Sequence, residues 1–154
     1  MNNSPAKPPL ERGRVRAGIF FSLVGLLIFI LGAAPQWFGL DRSAVIGFVQ
    51  IAVFLIGLGV ISVGGFICLD GLRNGKPRSL EQDIGLRLVS TGLVIAVFTG
   101  MADVFGFGSE ITPVVPLFGF WQTVGVATGE LVIGVGLILL IPRPESPKQK
   151  TSPH

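Results

Sequence analysis

Long uncharged runs alternate with short polar stretches along this chain. Ala17 to Leu40 carries no charge, and neither does Ser43 to Leu69. Arg87 and Asp103 bracket a third apolar run, and Ile111 to Pro142 contains one charge, Glu130. A helix crosses about 30 Å of hydrocarbon with roughly 20 apolar residues. The pattern therefore predicts four membrane helices, near 17–36, 45–69, 84–105 and 117–141, within an all-α membrane domain over 17–142. The runs lack the alternation of apolar and polar positions that a barrel strand shows, so a β-barrel is not expected.

The apolar runs repeat. At an offset of 67 residues Gly18, Gly25 and Leu26 meet Gly85, Gly92 and Leu93, and Phe38-Gly39 meets Phe105-Gly106. After the intervening loop the offset becomes 72, and "GFVQ" at 47–50 meets "GFWQ" at 119–122. Gly57 and Gly64 then meet Gly129 and Gly136. A tandem duplication of a two-helix hairpin, with repeats over about 17–69 and 84–141, accounts for these matches. Two spans per copy insert both copies the same way, which is the parallel-repeat case.

The repeated glycines predict how the helices pack. Lipid gives helices no hydrophobic reason to associate, so small residues that permit close approach matter. Seven residues make two turns. Gly18, Gly25 and Gly32 thus share a face of helix 1, Gly57 and Gly64 one of helix 2, and Gly85 and Gly92 one of helix 3. On helix 4, Gly125 and Gly129 form a GxxxG and Gly136 follows at seven. These seams predict a tight left-handed four-helix bundle.

Composition and charge set the class and the direction. The chain has 154 residues, 49% hydrophobic and only 14% charged, with a mean hydropathy of +0.71. Soluble domains carry about 25% charged residues, so the deficit points to a membrane protein. Lys7, Arg12, Arg14 and Arg16 precede helix 1, and Arg73, Lys76, Arg78 and Arg87 separate helices 2 and 3. Arg143, Lys148 and Lys150 follow helix 4, which leaves only Arg42 on the other side. The positive-inside rule then places both termini in the cytoplasm and the connections at 37–44 and 106–116 outside. This bias, not a nucleic-acid partner, explains the basic pI; the lipid bilayer is the expected partner, with weak attraction to anionic headgroups. The expected location is the cell (inner) membrane. The basic start, the apolar stretch and "LGAAPQ" also fit a signal peptide, but cleavage would remove one member of a matched pair.

The tails, 1–16 and 143–154, are polar and proline-rich, and are expected to stay disordered in the cytoplasm. Ser79 with Gln82 reads as a capping box for helix 3. Trp37, Trp121, Phe38, Phe105 and Phe107 suit the outer interface as anchors.

Three polar residues inside the spans are candidates for binding. Gln50 and Gln122 lie one to two turns inside the outer ends of their helices, where facing glutamines could bond across helices or share a polar ligand. Glu130 is eleven residues from Ile141, about 16 Å along a helix, and so lies near the midplane. Its counterpart in the first repeat is Leu58. An intramembrane carboxyl is a functional-site hypothesis by default. No Lys, Arg or His stands at its depth, so a hydroxyl such as Ser90, Thr91 or Ser62, or a backbone carbonyl, is expected to hold it.

Other chemistry finds no support in the residues. His154, in the tail, is the only histidine, and Cys68 is the only cysteine. There is no CxxC or HExxH for a metal and no phosphate-binding loop. No catalytic residue, metal or cofactor is therefore expected, and an enzyme is not expected. Two functions remain. One is a structural or accessory membrane protein, packing with a larger membrane partner or with itself as a homo-oligomer. The other is a small proton- or cation-coupled transporter or channel, oligomeric, that uses Glu130.

Overall fold

The computed structural model describes residues 9–39, 47–73, 75–106 and 119–143. Asp41, Arg42, Phe107, Glu110, His154 and the tails at 1–8 and 144–154 lie outside the described residues. The described chain forms α1 (Pro9–Ala33), a 3-10 turn (Pro35–Phe38), α2 (Phe48–Leu72), α3 (Leu80–Gly100) and α4 (Phe120–Leu139), with no strand among these residues. All four α-helices are long and apolar enough to cross a membrane.

The helix boundaries differ from the hydropathy limits in informative ways. Helix α1 starts at Pro9, so residues 9–16 are helical, not part of a disordered tail. A proline at the first helical position forfeits no hydrogen bond, because the first N–H groups have no intrahelical acceptor. The extension is also held from outside. Arg14 donates to Asp70 at 3.0 Å, and Gly71 packs against Val15. Helix α2 runs on through Asp70 to Leu72 for the same reason. Helix α3 starts directly after Ser79, whose hydroxyl accepts from the Gln82 N–H while Gln82 Oε1 accepts from the Ser79 N–H at 3.2 Å.

Helices α1 and α2 form one antiparallel hairpin, and α3 and α4 another. Glycines sit at the crossing of each pair. A methyl group on Gly25 would lie 2.6 Å from the Ile61 nitrogen, and one on Gly64 would lie 2.5 Å from that of Ser22. Gly18 meets Cys68, Gly32 meets Phe54 and Gly57 meets Phe29 in the same manner. In the second hairpin the approach is reciprocal: a methyl on Gly92 would meet the Gly129 carbonyl oxygen at 2.6 Å, and one on Gly129 would meet that of Gly92 at 2.6 Å. Gly85 and Gly136 repeat this arrangement two turns away, at 2.7 Å each. Gly125 faces the side chain of Thr99.

The four helices do not close into a bundle. Leu55 and Leu58 of α2 pack with Val89 and Ala96 of α3 and Ile133 of α4, and this cluster joins the hairpins. Among the described elements, helix α1 touches only α2 and the 3-10 turn that follows it, reaching neither α3 nor α4. Glycine seams act within a hairpin, but they do not force two hairpins to wrap around each other. The outer faces, among them Phe20, Leu27, Leu131 and Ile138, stay exposed, as lipid-facing surfaces do.

Candidate functional site

The two glutamines occupy the same position in their helices but do different things. Gly47 and Gly119 are the residues before the first turn of α2 and α4, with ψ of 157° in both. Each glutamine is therefore the third residue of its helix. From there a glutamine can reach back to the N–H of the capping residue. Gln122 does so: its Oε1 accepts from the Gly119 N–H at 2.7 Å. This oxygen serves its own helix and not a neighbouring one. Its Nε2 is buried with no partner among the described residues. Gln50, by contrast, turns to a cavity.

That cavity is a cleft of about 240 Å³ between the end of α1 and the first half of α4, floored by α2. Gly32 and Ala33 form the α1 side, and Gln50, Ile51 and Phe54 the floor. Helix α4 contributes Thr123, Ala127 and Glu130. Thr123 and Glu130 are seven residues apart, about 10 Å along the helix and on one face. Helical side chains lean toward the N-terminus, so Glu130 leans toward Thr123. The Thr123 hydroxyl donates to the Gly119 carbonyl at 3.2 Å, which leaves its lone pairs available. The cleft thus offers acceptors from three residues: a carboxyl, an amide and a hydroxyl.

The structure brings Gln50 and Glu130 to one cavity, and Gln122 is not among its lining residues. The hydroxyls expected to hold Glu130 are used elsewhere. Ser62 donates to the Leu58 carbonyl at 2.8 Å and Ser90 to that of Leu86 at 3.1 Å. Neither they nor Thr91 line the cleft. Glu130 has no hydrogen bond or ion pair among the described residues. Thr123 was not a candidate from sequence, although its spacing of two turns from Glu130 marks the same face.

The cleft exists because one interhelical contact has no counterpart. Helix α2 packs on α3, whereas α4 does not pack on α1. Leu58, the residue after Gly57, is buried where α2 meets the second hairpin. Glu130, the residue after Gly129, faces the gap.

A second polar cluster lies at the opposite, arginine-rich end. Asp70 accepts from Arg14 at 3.0 Å and pairs with Arg73 at 2.5 Å and Arg78 at 3.5 Å. Arg78 also lies 5.4 Å from the ring centre of Phe66. Arg143 of the α4 end donates to Glu81 of α3 at 2.8 Å. These pairs tie helix ends together, α1 to α2 and α3 to α4. Asp70 stands one residue past an apolar run and amid arginines, a signal that the hydropathy limits obscure. At the loop end Trp37 and Trp121 are largely exposed, and Cys68 is a free thiol packed at Gly18. No group of His, Cys, Asp and Glu able to hold a metal occurs among the described residues. No protein-family model, curated protein or solved structure matches the chain.

Proposed function

We propose that this chain is an accessory subunit of a larger membrane assembly, and that a group from its partner completes the cleft at Glu130. The observation that carries this reading is the cleft itself. A carboxyl midway along a membrane helix is costly unless paired, and this one lines an open space with no hydrogen bond or ion pair among the described residues. A self-sufficient bundle would close over it. The proposed setting is the cell (inner) membrane with both termini cytoplasmic, because 11 of the 12 basic residues fall on the terminal side of the helices.

A tandem duplication explains how the cleft arose. Moving the first hairpin's contacts by the offsets of 67 and 72 carries Gly25 against Ile61 onto Gly92 against Ile133. It likewise carries Gly57 against Phe29 onto Gly129 against Ala96, and Gly64 against Ser22 onto Gly136 against Val89, all of them contacts of the second hairpin. Phe-Gly at 38–39 and 105–106 stands just beyond each first helix, with a glycine of positive φ, 66° and 78°. Two copies of one packing unit then differ at the residue after the seam glycine, leucine in one and Glu130 in the other.

A photo-crosslinking residue placed at Ala127 in cells tests the reading. Ala127 lines the cleft, and Leu131, mostly exposed, serves as the lipid-facing control. One discrete protein adduct from Ala127, absent from Leu131, is expected; adducts to lipid alone from both positions would refute an accessory role.

The same cleft also favours a second reading, a small proton- or cation-coupled transporter. Sites in parallel-repeat transporters lie near the midplane between repeats, as Glu130 does. Ion flux in proteoliposomes that is lost in Glu130→Gln would establish it, and flux unchanged by that substitution would exclude it.

A further inference from the structure

The geometry points to the chemistry of the partner: we infer that a basic side chain, carried by a transmembrane helix of the partner protein, enters the cleft and pairs with Glu130. This inference rests on the accessory reading and names what the partner must bring.

Size decides between a helix and a side chain as the group that enters. A space of about 240 Å³ is roughly eight times the volume a water occupies in the liquid. A helix with its side chains is about 10 Å across, so the helix must lie along the mouth and only a side chain can go in. Gly32, Ala33 and Ala127 at the rim are small, and small residues let a helix backbone come close.

Charge decides which side chain. The cleft is lined by a carboxyl, an amide and a hydroxyl whose oxygen keeps free lone pairs. A lysine ammonium has only donors and no acceptor, which suits a cleft lined by a carboxyl and further acceptors. The described arginines and lysine of this chain lie in the first turns of α1, near the link between α2 and α3, or just after α4, none of them among the residues that line the cleft. A charge brought by the partner is therefore the complement. A divalent metal fits poorly, since calcium takes six to eight oxygens and magnesium six in near-ideal geometry. A lone basic residue in the partner's helix would be as costly in lipid as Glu130 is here, and ionisable groups within membranes pair with one another. Phe54 on the floor adds an aromatic ring near which a cation is favoured.

The test uses the full chain in lipid nanodiscs with a fluorescent donor on its amino-terminal tail. The probes are synthetic leucine-rich transmembrane helices that carry an acceptor and either one central lysine or none. Saturable energy transfer is expected with the lysine helix and only random-proximity transfer with the all-leucine helix. Glu130→Gln should weaken the lysine helix at least tenfold, and Thr123→Val and Gln50→Leu should each weaken it measurably. Indistinguishable probes, or full affinity in Glu130→Gln, would overturn the inference. If butylammonium at millimolar concentration displaces nothing while the lysine helix binds, the helix is the ligand. If butylammonium perturbs a ¹³C-labelled Glu130 carboxyl and the lysine helix does not bind, the site takes a small amine and the inference fails. Should Glu130→Gln not fold, Glu130→Asp and the wild-type contrast between the two probes decide. A discrete adduct from Ala127 in cells with no preference for the lysine helix would refute this inference and leave the accessory role standing.

Discussion

Leu58 and Glu130 each follow a seam glycine, yet Leu58 is buried where the hairpins meet and Glu130 lines the gap between α4 and α1. The difference is not one of helix position. It arises because α2 packs on α3 while α4 does not pack on α1. An apolar residue fills one junction, and an acid lines the open space at the other.

The seams themselves are tight. Gly92→Val would push a side chain into the Gly129 carbonyl and Ile133. Overpacking of this kind costs about 1–3 kcal/mol. Gly134, where a methyl group would meet nothing within 4 Å, is the control: Gly134→Ala should not destabilise, and should gain up to about 1 kcal/mol from helix propensity. Denaturant unfolding in mixed micelles, followed by circular dichroism, measures both.

The amino-terminal extension of α1 depends on one acid. Asp70→Asn removes the charge shared by Arg14, Arg73 and Arg78. Hydrogen bonds to charged groups contribute about 1.5–3 kcal/mol, and solvent at the exposed Arg14 reduces this. Hydrogen exchange should therefore accelerate over residues 12–16 and 70–73 and stay unchanged around Gly92 and Gly129.

Gln122 is expected to act on its own helix. Gln122→Leu should cost about 1 kcal/mol, the usual worth of an N-terminal cap. Amides of residues 120–123 should exchange faster, with no change in α2. Faster exchange in both helices would instead indicate a cross-helix bond.

How much of this could be read before the fold was known depends on the range of each interaction. Glycines spaced by seven mark a helix face by local geometry alone, so the seams were legible. The capping box of Ser79 and Gln82 was legible too, because both partners carry recognisable side chains. The same motif at Gly119 and Gln122 was missed, since a glycine cap offers only its backbone N–H. The start of α1 was missed because its order comes from Asp70, 56 residues away from Arg14. The cleft could not be foreseen at all. It depends on whether α1 meets α4, and helix periodicity carries no information about which hairpin faces a neighbour.

If Glu130 awaits a partner, then it contributes nothing to holding this chain together. The stability of Glu130→Leu, measured on the lone chain in lipid nanodiscs, tests this directly. The account predicts a variant at least as stable as wild type, because an unpaired acid in lipid costs up to about 3 kcal/mol and leucine serves at the corresponding place after Gly57. A loss of about 2 kcal/mol or more would contradict it, for the acid would then be part of this protein's own packing.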